Sequence, residues 1–386
     1  MILSQIHITV DSPEAASAFM LWLSVPFSFI FGAVVGSFLN VCIYRLPRNC
    51  LSIIRPKHSF CTACKKDIFW FDNIPIISWF VLGGKCRHCG AKFSIRYAMI
   101  ELLTAVLFGC LAWRFVASQP RDPQWEMLFI GAVLTGAFIV ILFIDVDFRI
   151  IPDEIDIPGI IAAPIISFLI PALHAPAMPY LEKVFDANWP SFTAGLQKMT
   201  APVLGTPLFE NVAAFAHSIV GMCVGGAIIW SLGILGGAVF KKTLEQDEAR
   251  ERKELGISEE EGEGDAGKPS PAAMGFGDVK LMAMLGGFFG VIGVFSILVV
   301  GVLSATLIGA PIRLFYRKGD AKVPFGPFLV GGAFVYLIAG DRMLSFAWHL
   351  PDLMREYRGG FVAGSLAACA LGIILLIALR RRRLKS

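Results

Sequence analysis

Long apolar runs recur along this chain, over residues 20–43, 98–117, 127–145, 157–172, 212–240, 279–293, 294–315, 325–340 and 359–380. About 20 apolar residues in helical form cross the hydrocarbon of a bilayer, and within it every backbone N–H and C=O has to be paired inside the segment. The pattern predicts an all-α polytopic membrane protein with eight or nine transmembrane helices. The count turns on residues 281–312, where Gly286, Gly287, Gly290 and Gly293 either turn the chain between two short helices or line one close helix contact; two helices are expected. Composition agrees: 56% of residues are hydrophobic and 17% charged, with a mean hydropathy of +0.68, whereas charged residues approach a quarter of a soluble domain.

Lysine and arginine stay on the cytoplasmic side of short flanking loops, and they orient the helices. Residues 44–97 carry Arg45, Arg48, Arg55, Lys57, Lys65, Lys66, Lys85, Arg87, Lys92 and Arg96 against Asp67 and Asp72, which places this loop in the cytoplasm. Counting nine spans from there puts Asp145, Asp278, the Arg313–Lys322 loop and the Arg380–Lys385 tail on the same side. Asp11 and Glu14 stand where a signal peptide would be basic, so the first apolar run is expected to be a retained helix with its amino end outside.

The expected organisation is an amino-terminal helix (1–43), a cytoplasmic loop with four cysteines (44–97), helices carrying a first aspartate (98–172), an external insert (173–211), a further helix (212–240), an acidic cytoplasmic linker (241–274), a glycine-flanked aspartate with its helices (275–340), and a carboxy-terminal helix with a basic tail (341–386). The linker holds Glu259-Glu260-Glu261 and few apolar residues, a composition of disorder or of a short solvated helix.

Four of the nine cysteines form two pairs in the basic loop, Cys61-Thr62-Ala63-Cys64 and Cys86-Arg87-His88-Cys89, the second followed by Gly90. Two residues between thiolates let one tight turn present both sulfurs to a single ion, and glycine after the pair eases that turn. A structural, tetrahedral zinc site is expected, with a redox pair or plain free thiols as the alternatives. His88 is expected at the surface, and Cys42, Cys50, Cys110, Cys223 and Cys369 as small core residues.

Asp145 lies at the edge of an apolar run, two residues before Asp147 and ahead of Ile151-Pro152-Asp153. Residues two apart on a helix point about 200° from one another, so only one of Asp145 and Asp147 can face a given partner. Asp153 is expected to cap the next helix. Asp278 closes Gly275-Phe276-Gly277-Asp278; no Gly-Lys-Ser/Thr follows, so this is not a phosphate loop, and no nucleic-acid partner is expected. Gly275 and Gly277 would let an extended substrate backbone approach. Two carboxyls held together in a poorly hydrated setting can share one proton, one polarising a scissile carbonyl while the other deprotonates water.

Gly36-Ser37-Phe38-Leu39-Asn40-Val41-Cys42-Ile43-Tyr44-Arg45-Leu46-Pro47, the two cysteine pairs, Asn73-Ile74-Pro75, Asp145 with Arg149 and Pro152, Gly275 to Leu281, and Pro324-Phe325-Gly326-Pro327 stand in an order that resembles type IV prepilin peptidases. The resemblance implies a bacterial inner-membrane aspartic peptidase of the GxGD type, distantly like presenilin. Such an enzyme removes the basic leader of prepilins and type II secretion pseudopilins at the cytoplasmic face. It then methylates the new amino terminus with S-adenosylmethionine, for which this chain has no recognisable glycine-rich fold. By this resemblance Asp145 and Asp278 match the catalytic pair and Asp147 a supporting neighbour. The external insert, the acidic linker and the extra carboxy-terminal helix depart from the usual pattern. Competing readings are a peptidase without transferase activity, a transporter using the aspartates as ion ligands near the membrane midplane, and a noncatalytic assembly scaffold.

Overall fold

The computed structural model describes residues 13–48, 59–61, 63–119, 121–174, 207–255, 275–309 and 324–356. Cys50, Cys369, residues 175–206 of the insert, 256–274 of the linker, the whole Arg313–Lys322 loop, the 359–380 run and the basic tail lie outside the described residues. No β-strand occurs among those described, only two isolated bridges, Phe60 with Asp67 and Lys85 with Lys92.

The helices are α1 (Pro13–Arg45), the short α2 (Ile77–Val81), α3 (Arg96–Ala112, continued by a wider π turn over Trp113–Ala117), α4 (Trp125–Phe148), α5 (Asp153–Leu169), α6 (Pro207–Leu255), α7 (Phe276–Ser304, again ending in a π turn) and α8 (Gly326–Glu356). Among the described residues, six segments are long and apolar enough to cross a membrane: Leu21–Arg45, Arg96–Ala117, Trp125–Phe148, Leu208–Ala238, Phe276–Gly309 and Gly326–Phe346. The run expected to span at 157–172 is α5, which starts after Pro152 and stops before Pro171. Helix α6 continues through residues 241–255, the first half of the expected linker. That stretch is rich in Glu, Lys and Arg, which favour helix without any burial.

The chain divides into two units, residues 1–338 and 339–386. In the second, residues 339–356 are helical after a non-helical step at Ala339 (φ −131°, ψ 18°).

Within the first unit, glycines set how closely the helices approach. In α1, Gly32 and Gly36 lie one turn apart against α3, and a Cβ on Gly32 would sit 2.9 Å from both Ala105 Cα and Thr104 O. Gly221 and Gly225 of α6 play the same part against α7, where a Cβ on Gly225 would sit 2.5 Å from Met282 O. Small residues spaced by four let apolar helices pack backbone to backbone, which is how helices associate when lipid offers as good an apolar surface as another helix.

Helix α7 breaks at Gly290, whose φ of 67° and ψ of −175° are outside any helix. A Cβ on Gly286 would lie 3.0 Å from Val294 Cγ2, although eight residues of continuous helix separate by about 12 Å. The chain therefore folds back at Gly290, as the four glycines anticipate, and Phe276–Gly309 forms two helical arms. The core between α1, α3 and α4 is built from Leu39, Ile43, Ile100, Leu107, Ile139 and Ile144, with Phe334 and Ile338 of α8 packed on it.

Candidate active site

Asp145 is in the last turn of α4, which ends when Arg149 takes a left-handed conformation (φ 57°) and donates its N–H to Asp145 O at 2.9 Å. Asp278 is in the first turn of α7, its N–H donated to Gly275 O at 3.1 Å. Helix α8 starts beside them, and Gly326 at its first position joins the two sites. A Cβ on Gly326 would collide with Asp145 Oδ2 and lie 3.6 Å from Asp278 Oδ1. The structure thus brings both carboxyls to one point, at the ends of three helices rather than at their middles. Asp145 is buried, and its Oδ2 has no hydrogen-bond partner.

Asp147 points elsewhere, as helical pitch requires. Arg96 of α3 grips it through both nitrogens, Nη1 donating to Oδ1 and Nη2 lying near Oδ2, each at 2.7 Å. The same guanidinium stacks on the Phe143 ring at 4.9 Å. Asp147 ties α3 to α4 and does not meet the other two aspartates. This pair is partly exposed and therefore worth under about 1 kcal/mol. Asp147→Asn is expected to slow any chemistry at Asp145 only a few-fold, measured on purified protein beside Asp145→Asn.

The glycines around Asp278 differ in role. Gly277 faces Ile151, whose Cβ would be 3.3 Å from an added Cβ, so it is small for packing; Gly275 is exposed, with open space around it. Only Gly275 fits the expectation of a glycine that leaves room for a substrate backbone. Asp153 does not cap α5: Pro152 occupies the cap position without a side-chain bond, and Asp153 instead forms an ion pair with Lys280 of α7. That pair fixes the helix bearing Asp278 against α5.

Sequence reasoning missed Gly326, and it missed Asp156. Asp156 is fully buried on α5 with both oxygens unpartnered, and Asp278 and Lys280 act on it from α7. In sequence Gly326 stands out only as part of the Pro324-Phe325-Gly326-Pro327 segment. Gly326→Ala is expected to displace Asp145 and lower turnover on the order of 10²-fold, since a shift near 1 Å in a catalytic group costs that much. A kinetic assay on the folded variant checks it.

The cysteine pairs form a second centre in the loop between α1 and α3. The ligand atoms of Cys61, Cys64, Cys86 and Cys89 all lie within 4.8 Å of one another, with Cys61 Sγ 3.8 Å from Cys89 Sγ. Zinc–sulfur bonds of about 2.3 Å in a tetrahedron place sulfurs about 3.8 Å apart, so the four thiols fit a zinc ion with no ligand position left for water.

Both knuckles are built alike. Cys61 N–H reaches Lys66 O at 2.9 Å and Cys86 N–H reaches Ala91 O at 2.8 Å. The residue after each pair is left-handed: Gly90 at φ 70° and Lys65 at φ 61°. The expected glycine turn is therefore present twice, once with a lysine bearing the strain. Backbone N–H groups, chiefly that of Cys64, hold the Cys61 thiol down to about 7, readying it as a ligand. Arg87 donates two hydrogen bonds to Asp72, at 2.7 and 2.6 Å, and so clamps the second knuckle to the turn at Trp70–Asn73 while holding the Asp72 carboxyl below its usual range. Of the other cysteines, Cys42 is buried as expected, whereas Cys110 is half-buried and Cys223 is exposed on its helix.

Comparison with known proteins gives this arrangement its context. Residues 30–115, which hold the second half of α1, the cysteine loop and all of α3, match the bacterial peptidase A24 N-terminal domain. A prepilin leader peptidase/N-methyltransferase of Neisseria gonorrhoeae is 28% identical over 83% of this chain and 92% of its own length. The protein of that name from Pseudomonas aeruginosa is 28% identical over 81% of this chain and 90% of its own. The chain is similar to prepilin leader peptidase/N-methyltransferases over more than four-fifths of its length. A Myxococcus xanthus member is 39% identical over 37% of this chain and 40% of its own length. The family model covers the cysteine loop and neither aspartate, while the similarity to the Neisseria and Pseudomonas proteins extends over more than four-fifths of the chain. No solved structure matches the chain.

Proposed function

We propose that this protein is the peptidase that removes the leader of type IV prepilins and type II secretion pseudopilins, and that it then methylates the new amino terminus. The observation that carries the reading is the meeting of Asp145 and Asp278 at Gly326, in a chain whose relatives over nearly their whole length are prepilin leader peptidase/N-methyltransferases.

Asp145 and Asp278 act as a pair that holds one proton between them. The charged carboxylate takes a proton from a water molecule as its oxygen attacks the scissile carbonyl, and the neutral carboxyl donates a proton to the carbonyl oxygen. Collapse of the tetrahedral intermediate breaks the C–N bond. The proton taken from water passes to the departing amine, the carboxyl that gave its proton recovers one from a hydroxyl of the intermediate, and the pair returns to its starting state. Gly326 lets the start of α8 close onto both carboxyls without a side chain between them, and Gly275 leaves the approach to Asp278 open.

The finer reading of the fold places eight or nine helices in the bacterial inner membrane, with the pair facing the cytoplasm. Basic residues of the cysteine loop support that orientation. A prepilin with its leader in the cytoplasm and its apolar stem in the bilayer would then present the scissile bond at the depth of these helix ends. Cys61, Cys64, Cys86 and Cys89 would hold a structural zinc that fixes the loop. S-adenosylmethionine as co-substrate supplies an electrophilic methyl group for the freed amine.

The test is mass spectrometry of a purified prepilin incubated with the reconstituted protein and S-adenosylmethionine. Leader loss followed by gain of one methyl group is expected. Leader loss alone would remove the transferase half, and no processing of several prepilins would reject the assignment.

A further inference from the structure

The loop between α1 and α3 carries an apolar stripe that faces outward. Helix α2 has five residues, and Ile77, Phe80 and Val81 stand on it at i, i+3 and i+4, the spacing that lines one helix face. They are 59%, 65% and 73% exposed, while Ser78, off this stripe, is buried. The turn just before α2 adds Trp70, 80% exposed. Trp70 meets Phe71 edge-on at 5.8 Å, and Phe71 stacks on Phe69 at 5.3 Å. Exposed apolar side chains gathered in this way mark a surface that meets lipid or another protein.

The surface is held in shape. Ser78 Oγ donates to Phe71 O at 3.1 Å and joins the turn to α2, and Arg87 holds the same turn through Asp72.

Depth decides what covers it. The spanning part of α3 is Arg96–Ala117, 22 residues, about 33 Å at 1.5 Å per residue and enough to cross the hydrocarbon. Arg96 pairs with Asp147 at the end of α4, so these two charges mark the edge of both spans. Ile76, immediately before α2, donates its N–H to Glu101 Oε2 at 2.7 Å. Side chains of a helix lean toward its amino end, so this carboxylate reaches back toward the level of Tyr97 and draws the start of α2 to the rim of the bilayer. Around that level α3 itself exposes Ile95, Met99 and Leu102, the apolar surface that a helix shows to lipid. The stripe on α2 therefore stands where hydrocarbon meets headgroups, the depth at which aromatic side chains concentrate.

Charge agrees with that placement. Lys65, Lys66, Lys85 and Lys92 are exposed on the same loop, whose acidic residues are Asp67 and Asp72. Long cationic side chains lay their stems along apolar surface and send their charge to lipid phosphates.

We propose that the cysteine loop is anchored in the membrane interface, with Trp70, Ile77, Phe80 and Val81 seated among phospholipid headgroups and upper acyl chains. The leaflet is the one at which α4 ends with Asp145 and Asp147. Anchored so, the loop forms a fixed wall beside the end of α4, held from one side by α3 and from the other by lipid.

The experiment uses the full chain in phospholipid nanodiscs and places a photoreactive residue on the stripe, by Phe80→p-benzoyl-phenylalanine in one preparation and Val81→p-benzoyl-phenylalanine in another. Val133, exposed on the spanning part of α4, takes the same residue as the lipid-facing reference. Illumination and mass spectrometry of the resulting peptides are expected to show lipid adducts at both α2 positions, with yields within fivefold of that at Val133. Lipid yields at both positions more than fivefold below the reference would overturn the anchor. So would adducts to a second copy of this chain, or to an added prepilin, in place of lipid. Neither leader cleavage nor methyl transfer enters the readout, so the anchor and the proposed function fail independently.

Discussion

Asp145→Asn and Asp278→Asn proteins are each expected to fold and to leave a prepilin leader in place, with turnover lowered on the order of 10⁴-fold or more. Asparagine matches aspartate in shape but can neither take a proton from water nor give one to a carbonyl oxygen. General acid and general base steps each contribute about 10² to 10⁴, and groups that act as one unit lose nearly everything when either is removed. Folding should be spared, because neither carboxylate serves as an ion-pair anchor. Asp145 Oδ2 has no partner to lose, and the ion pairs that tie the helices together use Asp147 with Arg96 and Asp153 with Lys280. Substituting the anchors should show the opposite pattern, a small loss of stability with cleavage largely kept.

Replacing Cys61 and Cys64 together by serine is expected to take the zinc content from about one ion per chain to none. Two of four thiolates cannot hold the ion against water. Metal-linked folding free energy in small four-ligand sites is on the order of 10 kcal/mol, far more than the loop's hydrogen bonds can replace. Two isolated bridges, the Arg87–Asp72 clamp and hydrogen bonds such as Ile76 N–H to Glu101 and Trp79 Nε1 to Phe93 O are left to order the loop. The helical signal of the membrane part should persist while the loop becomes open to protease, measured by metal analysis and limited proteolysis of the purified protein. A full zinc complement in this variant would reject the site.

What the sequence makes legible follows from which interactions are local. Apolar runs mark α1, α3, α4, α6 and α8 because hydrocarbon imposes one rule on every residue of a span. Asp145 and Asp278 stand out because they interrupt that rule at its edge, and the cysteine knuckles because two turns of four residues contain their own geometry. Gly326 is silent in sequence: its importance arises only when the start of α8 meets α4 and α7, and nothing near Pro324-Phe325-Gly326-Pro327 announces that meeting. Asp156 is hidden for the same reason, as a carboxyl on a short helix whose burial depends on α7.

Asp153 shows a local rule overridden. An acidic residue after proline at a helix start suggests a cap, but Pro152 holds the cap position and Lys280, far away in sequence, claims the carboxylate. Four glycines between 286 and 293 announce a turn, yet only the packing of Gly290 against His217 fixes where it falls. Glu101 lies inside a membrane-length helix, and its partner Ile76 becomes visible only with the loop folded back on α3.

The central claim is that Asp145 and Asp278 work as one catalytic unit at Gly326. Its most direct test is leader removal by the two single asparagine variants and the double variant, in the same lipid preparation, with cleavage followed by mass spectrometry over long incubations. The account predicts that all three fall to one common floor, because removing either carboxyl already disables the pair. Cleavage retained in either single variant, or a double variant whose loss is the product of two independent partial losses, would contradict it.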